Sequence, residues 1–230
     1  MKTIGLIGGM SWESTVTYYE LINKNIKNDL GGLHSAKILL YSVDFEEIEK
    51  CQSNGDWNRS AEILSDAAIK LEKAGADFIL ICTNTMHKVA DKIKEKISIP
   101  LIHIVEVLAE ELKKENISKV ALLGTKYTMI ETFYKQKLFE ANIDVIIPDN
   151  DEIETVNDII FKELCLGIIS ESSKNQYLKI IEKLQNKGAE GVILGCTEIG
   201  LLINQKDLNI PVFDTTKIHS KKAAILALKN

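Results

Sequence analysis

Short apolar runs alternate along the chain with amphipathic stretches, and their order sets the fold class. Residues 3–7, 37–43, 77–81, 119–123, 144–147 and 191–194 are apolar runs bounded by glycine or polar residues. They are too short for stable helices and read as buried parallel strands. Between them apolar positions recur on helical spacing. Val16, Tyr19 and Ile22 follow a Ser11 N-cap, and Ala61, Leu64, Ala68 and Leu71 share one face of 56–73. Further helices are expected over 44–50, 86–97, 105–116, 130–141, 152–169, 175–186 and 216–228. Gly31-Gly32, Gly75 and Gly188 supply helix stops. Strands alternating with helices predict an α/β fold with mainly parallel sheets.

The pattern occurs twice. Gly8 and Gly124, Gly75 and Gly188, Cys82 and Cys196, and Pro100 and Pro211 stand at a near-constant separation, roughly half the chain. This predicts two pseudo-symmetric Rossmann-like domains, each a mainly parallel sheet flanked by helices. Residues 1–104 plus 212–230 form the first, and 105–211 the second. Sheets duplicated in this way would face each other across a pseudo-two-fold axis. Their carboxyl strand ends, where α/β folds hold ligands, would then share one interdomain cleft, the expected active site.

Composition narrows the partners. A net charge of −5 over 230 residues, with no basic block, disfavours nucleic acid and anionic membranes. No run approaches a membrane span, and the N-terminal apolar segment is too short for a secretory signal, so a cytoplasmic location is expected. Arg59 is the single arginine, which shifts anion binding towards lysine, backbone N–H groups and hydroxyls. Cysteines 51, 82, 165 and 196 lack CxxC spacing, and the histidines suggest no metal site.

Cys51 and Cys165 read as small core residues. Cys82 and Cys196 differ: each ends an apolar strand and precedes Thr and a helix start. A matched pair of thiols suits proton removal from one face of a carbon and return to the other. The carbanion then needs donors beside it, and Thr83, Asn84, Thr85, Thr125 and Thr197 stand at the right strand ends.

Residues 8–15 (GGMSWEST), 82–87 (CTNTMH) and 195–199 (GCTEI) resemble the cofactor-independent aspartate/glutamate racemase family, in order and over essentially the whole chain. The resemblance implies racemisation of an amino acid, aspartate above all, by Cys82 and Cys196. It implies no pyridoxal phosphate and no metal, and commonly a homodimer. It points to Met10, Gln52, the Thr83-Asn84-Thr85 turn and Lys162 as substrate contacts. Lys162 would supply the cation for a second carboxylate. The sequence does not look like the cell-wall glutamate racemases, because Thr197-Glu198 stands where they carry Thr-His.

Other readings stay open at this point. A hydantoin racemase, maleate isomerase or arylmalonate decarboxylase could use the same scaffold, although the decarboxylase needs one thiol only. A two-lobed ligand-binding or redox protein would instead close a Cys82–Cys196 disulfide.

Overall fold

The computed structural model describes residues 1–229. The chain divides into two compact units: Met1–Ile104 with the segment from His219 onward, and Val105–Ile218.

In the first unit β1 (Ile4–Gly8) leads into α1 (Trp12–Leu30), β2 (Ile38–Ser42), α2 (Phe45–Ser53), α3 (Trp57–Lys73) and β3 (Phe78–Ile81). A 3-10 turn, Thr85–Val89, and the short α4 (Ala90–Lys94) follow. The strands are parallel in the order β2-β1-β3, and Leu101 bridges to Ile79 beyond β3. Alternation along the strands divides the core. Ile7, Ile79 and Ile81 meet Ala61, Leu64, Ala68 and Leu71 of α3 on one face. Ile4, Leu6, Phe78, Leu80 and Cys82 meet Tyr18, Ile22 and Ile26 of α1 and Ala223, Ala224 and Ala227 on the other. Each of the larger apolar side chains so buried contributes roughly 1.5–3 kcal/mol relative to exposure.

The second unit holds α5 (Ile104–Lys114, its first residue counted with the first unit), β4 (Lys119–Gly124), α6 (Lys126–Ile130), α7 (Thr132–Glu140) and β5 (Asp144–Ile146). Then come α8 (Asn150–Lys162), α9 (Glu171–Asn186), β6 (Gly191–Gly195), α10 (Ile199–Leu202) and β7 (Val212–Asp214). Helix α11 (Thr215–Leu228) returns the chain to the first unit. The sheet is parallel in the order β5-β4-β6-β7. The sheet topology repeats: β2, β1 and β3 correspond to β5, β4 and β6, and the Leu101 bridge corresponds to β7. The parallel α/β architecture expected from the alternating runs is present in both units.

Several local expectations are corrected. Val212 onward was expected in the first domain, but β7 is the edge strand of the second sheet and pairs with β6. The chain crosses back only inside α11. The buried stripe of α1 is Ser14, Thr15, Tyr18, Ile22 and Ile26, while Val16 and Tyr19 are exposed. The helix expected over 152–169 stops at Lys162, because a 3-10 turn, Leu164–Leu166, and left-handed Gly167 end it. Cys165 therefore sits half-buried on a turn, and Leu166 and Ile168 are exposed. The segment 86–97 is a 3-10 turn and one short helix, and 130–141 is broken at Glu131, whose extended backbone separates α6 from α7.

Candidate active site

Both sheets present the same arrangement at the carboxyl ends of two paired strands. In the first, Ile7 pairs with Ile81; beyond them lie Gly8-Gly9-Met10 and Cys82. In the second, Gly124 pairs with Gly195; beyond them lie Thr125 and Cys196. Each thiol therefore leaves its sheet beside the turn of the neighbouring strand.

Cys82 keeps one ladder bond, from its N–H to Ile7 O at 2.9 Å. Its side chain is fully buried, and that desolvation pushes the thiol well above its ordinary pKa. Asn84 and Thr85 are buried and Thr83 partly so. Gln52, near the end of α2, is buried and points its amide at Met86 Sδ, 3.0 Å away, just beyond this turn. Met10 is buried in the same apolar cluster as Met86.

Gly9 is required by the backbone here. Its φ is +92°, and a Cβ would come within 2.2 Å of Val43 O. Its N–H donates to Thr15 Oγ1 at 2.8 Å, and Ser11 caps α1 by accepting from Ser14 N–H at 3.3 Å. The turn thus fixes Met10 between two anchored residues.

Cys196 is half-buried, and its Sγ donates to Glu198 Oε2 at 3.0 Å. The Thr197 hydroxyl donates to the same oxygen at 2.5 Å. Burial, then the Glu198 charge, push the Cys196 thiol well above its ordinary value. Thr125 is buried and caps α6, accepting from Thr128 N–H at 3.4 Å.

Lys162 lies exposed at the end of α8 and pairs with Asp158 one turn earlier at 2.8 Å. Two residues carry more of the local chemistry than the sequence assigned them. Glu198 closes the Cys-Thr-Glu run in the sequence, yet only the folded turn shows its carboxylate accepting from the thiol. His87 is one of the histidines without metal spacing in the sequence, but its ring bonds the Thr83 carbonyl at 2.8 Å. Spacing was the available signal, since Thr83 lies one helical turn before His87.

Paired strand ends, each followed by a cysteine and then a hydroxyl residue, recur in both α/β units. Residues 7–223 match the Asp/Glu/Hydantoin racemase family, and the chain belongs to that family, which places it among the isomerases. It is similar over its whole length to a solved Yersinia pestis protein provisionally described as an Asp/Glu racemase, with 56% identity, TM-score 0.94 and 100% of both chains covered. An aspartate racemase homologue from Pyrococcus horikoshii OT3 matches at 39% identity and TM-score 0.87, again over 100% of both chains. The broad specificity amino-acid racemase RacX of Bacillus subtilis is 25% identical, with 95% of each chain covered. Among the described residues no helix is long and apolar enough to cross a membrane.

Proposed function

We propose that this chain is a cofactor-independent amino-acid racemase that interconverts L- and D-aspartate with Cys82 and Cys196 as its two bases. The observation that carries the reading is the equivalence of the two thiols: each follows the strand next to a central strand of a repeated sheet. A single catalytic thiol would give no reason for the second.

The chemistry needs two proton transfers. One thiolate takes the α-proton from one face, leaving the electron pair on Cα and its carboxylate. The other thiol gives its proton to the opposite face. The thiols end with their protonation exchanged, which readies the site for the reverse direction. Burial favours this in one respect: a thiolate taken out of water is a stronger base towards a weakly acidic C–H. It also keeps the resting thiols protonated, so one must lose its proton on substrate binding. Glu198 is placed to take it from Cys196.

Met10, Gln52, Thr83, Asn84, Thr85, Thr125 and Thr197 are the proposed substrate contacts, as hydrogen-bond donors and as walls. Lys162 is the proposed partner of the second carboxylate, reached by releasing its exposed pair with Asp158. The similarity to RacX makes other amino acids, glutamate first, part of the substrate range to be examined. A homodimer belongs to the same reading, and sedimentation at micromolar concentration tests it.

The deciding experiment is incubation of the pure protein with L- and D-aspartate in deuterated water, followed by chiral chromatography and mass analysis. Both enantiomers should convert with deuterium at Cα, and Cys82→Ser and Cys196→Ser should each nearly abolish conversion. Retained conversion in the double variant sinks the mechanism.

A further inference from the structure

Three histidines lie packed together inside the first unit. His87 meets His103 with ring centroids 4.6 Å apart and His219 at 5.8 Å. All three are buried. Hydrogen bonding fixes the state of two of them. A carbonyl can only accept, so the 2.8 Å contact from His87 Nδ1 to Thr83 O places a proton on Nδ1. The Ile104 N–H donates to His87 Nε2 at 3.2 Å, so that nitrogen is bare and the ring neutral. His219 is held in the opposite tautomer. Its Nε2–H donates to Ile102 O at 2.9 Å, and Nδ1 accepts from the Tyr18 hydroxyl at 2.9 Å.

The result is a chain of bonds from α1 to the residue after Cys82. Tyr18 holds His219, His219 holds Ile102, and two residues on Ile104 holds His87, which holds Thr83. The bond to Thr83 also compensates for a local departure from helix. The His87 N–H bonds Asn84 O in a 3-10 turn, so it does not reach Thr83 O as it would in an α-helix. The imidazole supplies the missing donor.

We propose that His87 is the positioning residue of Cys82: its Nδ1–H fixes the Thr83 carbonyl and so sets the Thr83–Asn84 peptide, one residue beyond the thiol. This rests on Cys82 being one of the two bases. The neighbouring rings keep His87 from turning, and the His219 and His87 bonds clamp the backbone on either side of His103. A displaced thiol would lose the alignment that proton abstraction needs.

The test compares His87→Phe, which keeps ring volume without nitrogen, with His87→Asn, which keeps a donor near the Nδ1 position. Solvent deuterium exchange is measured separately on L- and D-aspartate, alongside Cys82→Ser and Cys196→Ser. The enantiomer whose exchange Cys82→Ser removes is the one Cys82 serves. His87→Phe should slow that enantiomer about tenfold or more in kcat, leave its KM and the other enantiomer nearly unchanged, and be largely rescued by His87→Asn. Loss of stability alone would lower both enantiomers together, and that outcome overturns the proposal. Exchange removed by Cys82→Ser but untouched by His87→Phe sinks the positioning role alone. Exchange untouched by Cys82→Ser sinks the two-thiol reading and this proposal with it. Independently of turnover, nitrogen NMR at neutral pH should show His87 as the Nδ1–H tautomer, and an Nε2–H tautomer overturns the assignment.

Discussion

Glu198 receives the thiol of Cys196 on the same carboxylate oxygen that receives the Thr197 hydroxyl, at 3.0 Å and 2.5 Å. Cys82 is raised by burial, whereas Cys196 is raised by burial and by this negative neighbour. The two halves therefore repeat in backbone and differ in charge. A carboxylate that accepts a thiol proton also offers that proton a place to go, and in the proposed reaction this is how Glu198 would generate the Cys196 thiolate.

Replacing Glu198 by Gln removes the charge and keeps the size. The Cys196 thiol should then titrate lower, because a neighbour that disfavours the thiolate has gone. Alkylation of Cys196, followed by peptide mass mapping across pH, reads this directly. Racemisation should nonetheless fall, on the order of 100-fold, because the proton acceptor is lost. A lower thiol pKa with undiminished turnover would remove Glu198 from the mechanism.

Lys162→Met separates specificity from folding. The Lys162–Asp158 pair is exposed and i,i+4, so its loss should cost no more than about 0.5 kcal/mol of stability. KM for aspartate should rise about tenfold or more if the ammonium binds the side-chain carboxylate. KM for a neutral amino acid should not move. Equal changes for both substrates would return Lys162 to the solvated surface.

What the sequence made legible follows from the range of the forces involved. The strands carry their own signal in apolar runs such as 78–81, and the repeat located both thiols at strand ends. The caps of α1 and α6 are local too, and Ser11 was visible for that reason. The exposed side of α1 was not. Val16 and Tyr19 are apolar at helical spacing, but the sheet buries the neighbouring stripe through Tyr18 and Ile26. Which face is covered depends on α11, far away in sequence, whose Ala223, Ala224 and Ala227 complete that layer. The role of His87 was hidden for the same reason, since its partner Ile104 comes from another segment.

Gly9→Ala should damage the turn after β1 from the backbone outward. The position combines φ +92° with a Cβ contact of 2.2 Å to Val43 O. Left-handed strain alone costs about 1–3 kcal/mol, and the clash with backbone adds to it. Gly55→Ala is the control: its φ is +70°, with nothing within 4 Å of the added Cβ. Denaturant midpoints should place Gly9→Ala clearly below Gly55→Ala. Similar midpoints would show that the 8–10 turn relaxes freely.

Acid should weaken the fold before the carboxylates titrate. His219 is buried with its Nε2–H committed to Ile102 O, and its pKa is pulled from 6.5 down to about 4 by desolvation. His87 is lowered in the same direction, by burial first and then by His103 and His219. Between those values the unfolded chain binds a proton on His219 that the folded chain refuses, so stability rises with pH across the window. The contribution is complete above about pH 6.5 and is lost as pH falls towards about 4, amounting to about 3 kcal/mol at most for His219. Asp149, Glu72, Glu190 and Asp207 are held below their ordinary values by ion pairs or hydrogen bonds, so their losses come at lower pH. Urea melts at about pH 7.5, 5.5 and 4.5 should therefore show a decline in the native protein that His219→Gln flattens, although the variant starts lower for want of the Tyr18 and Ile102 bonds. A variant that keeps the full slope would assign the acid sensitivity to other groups.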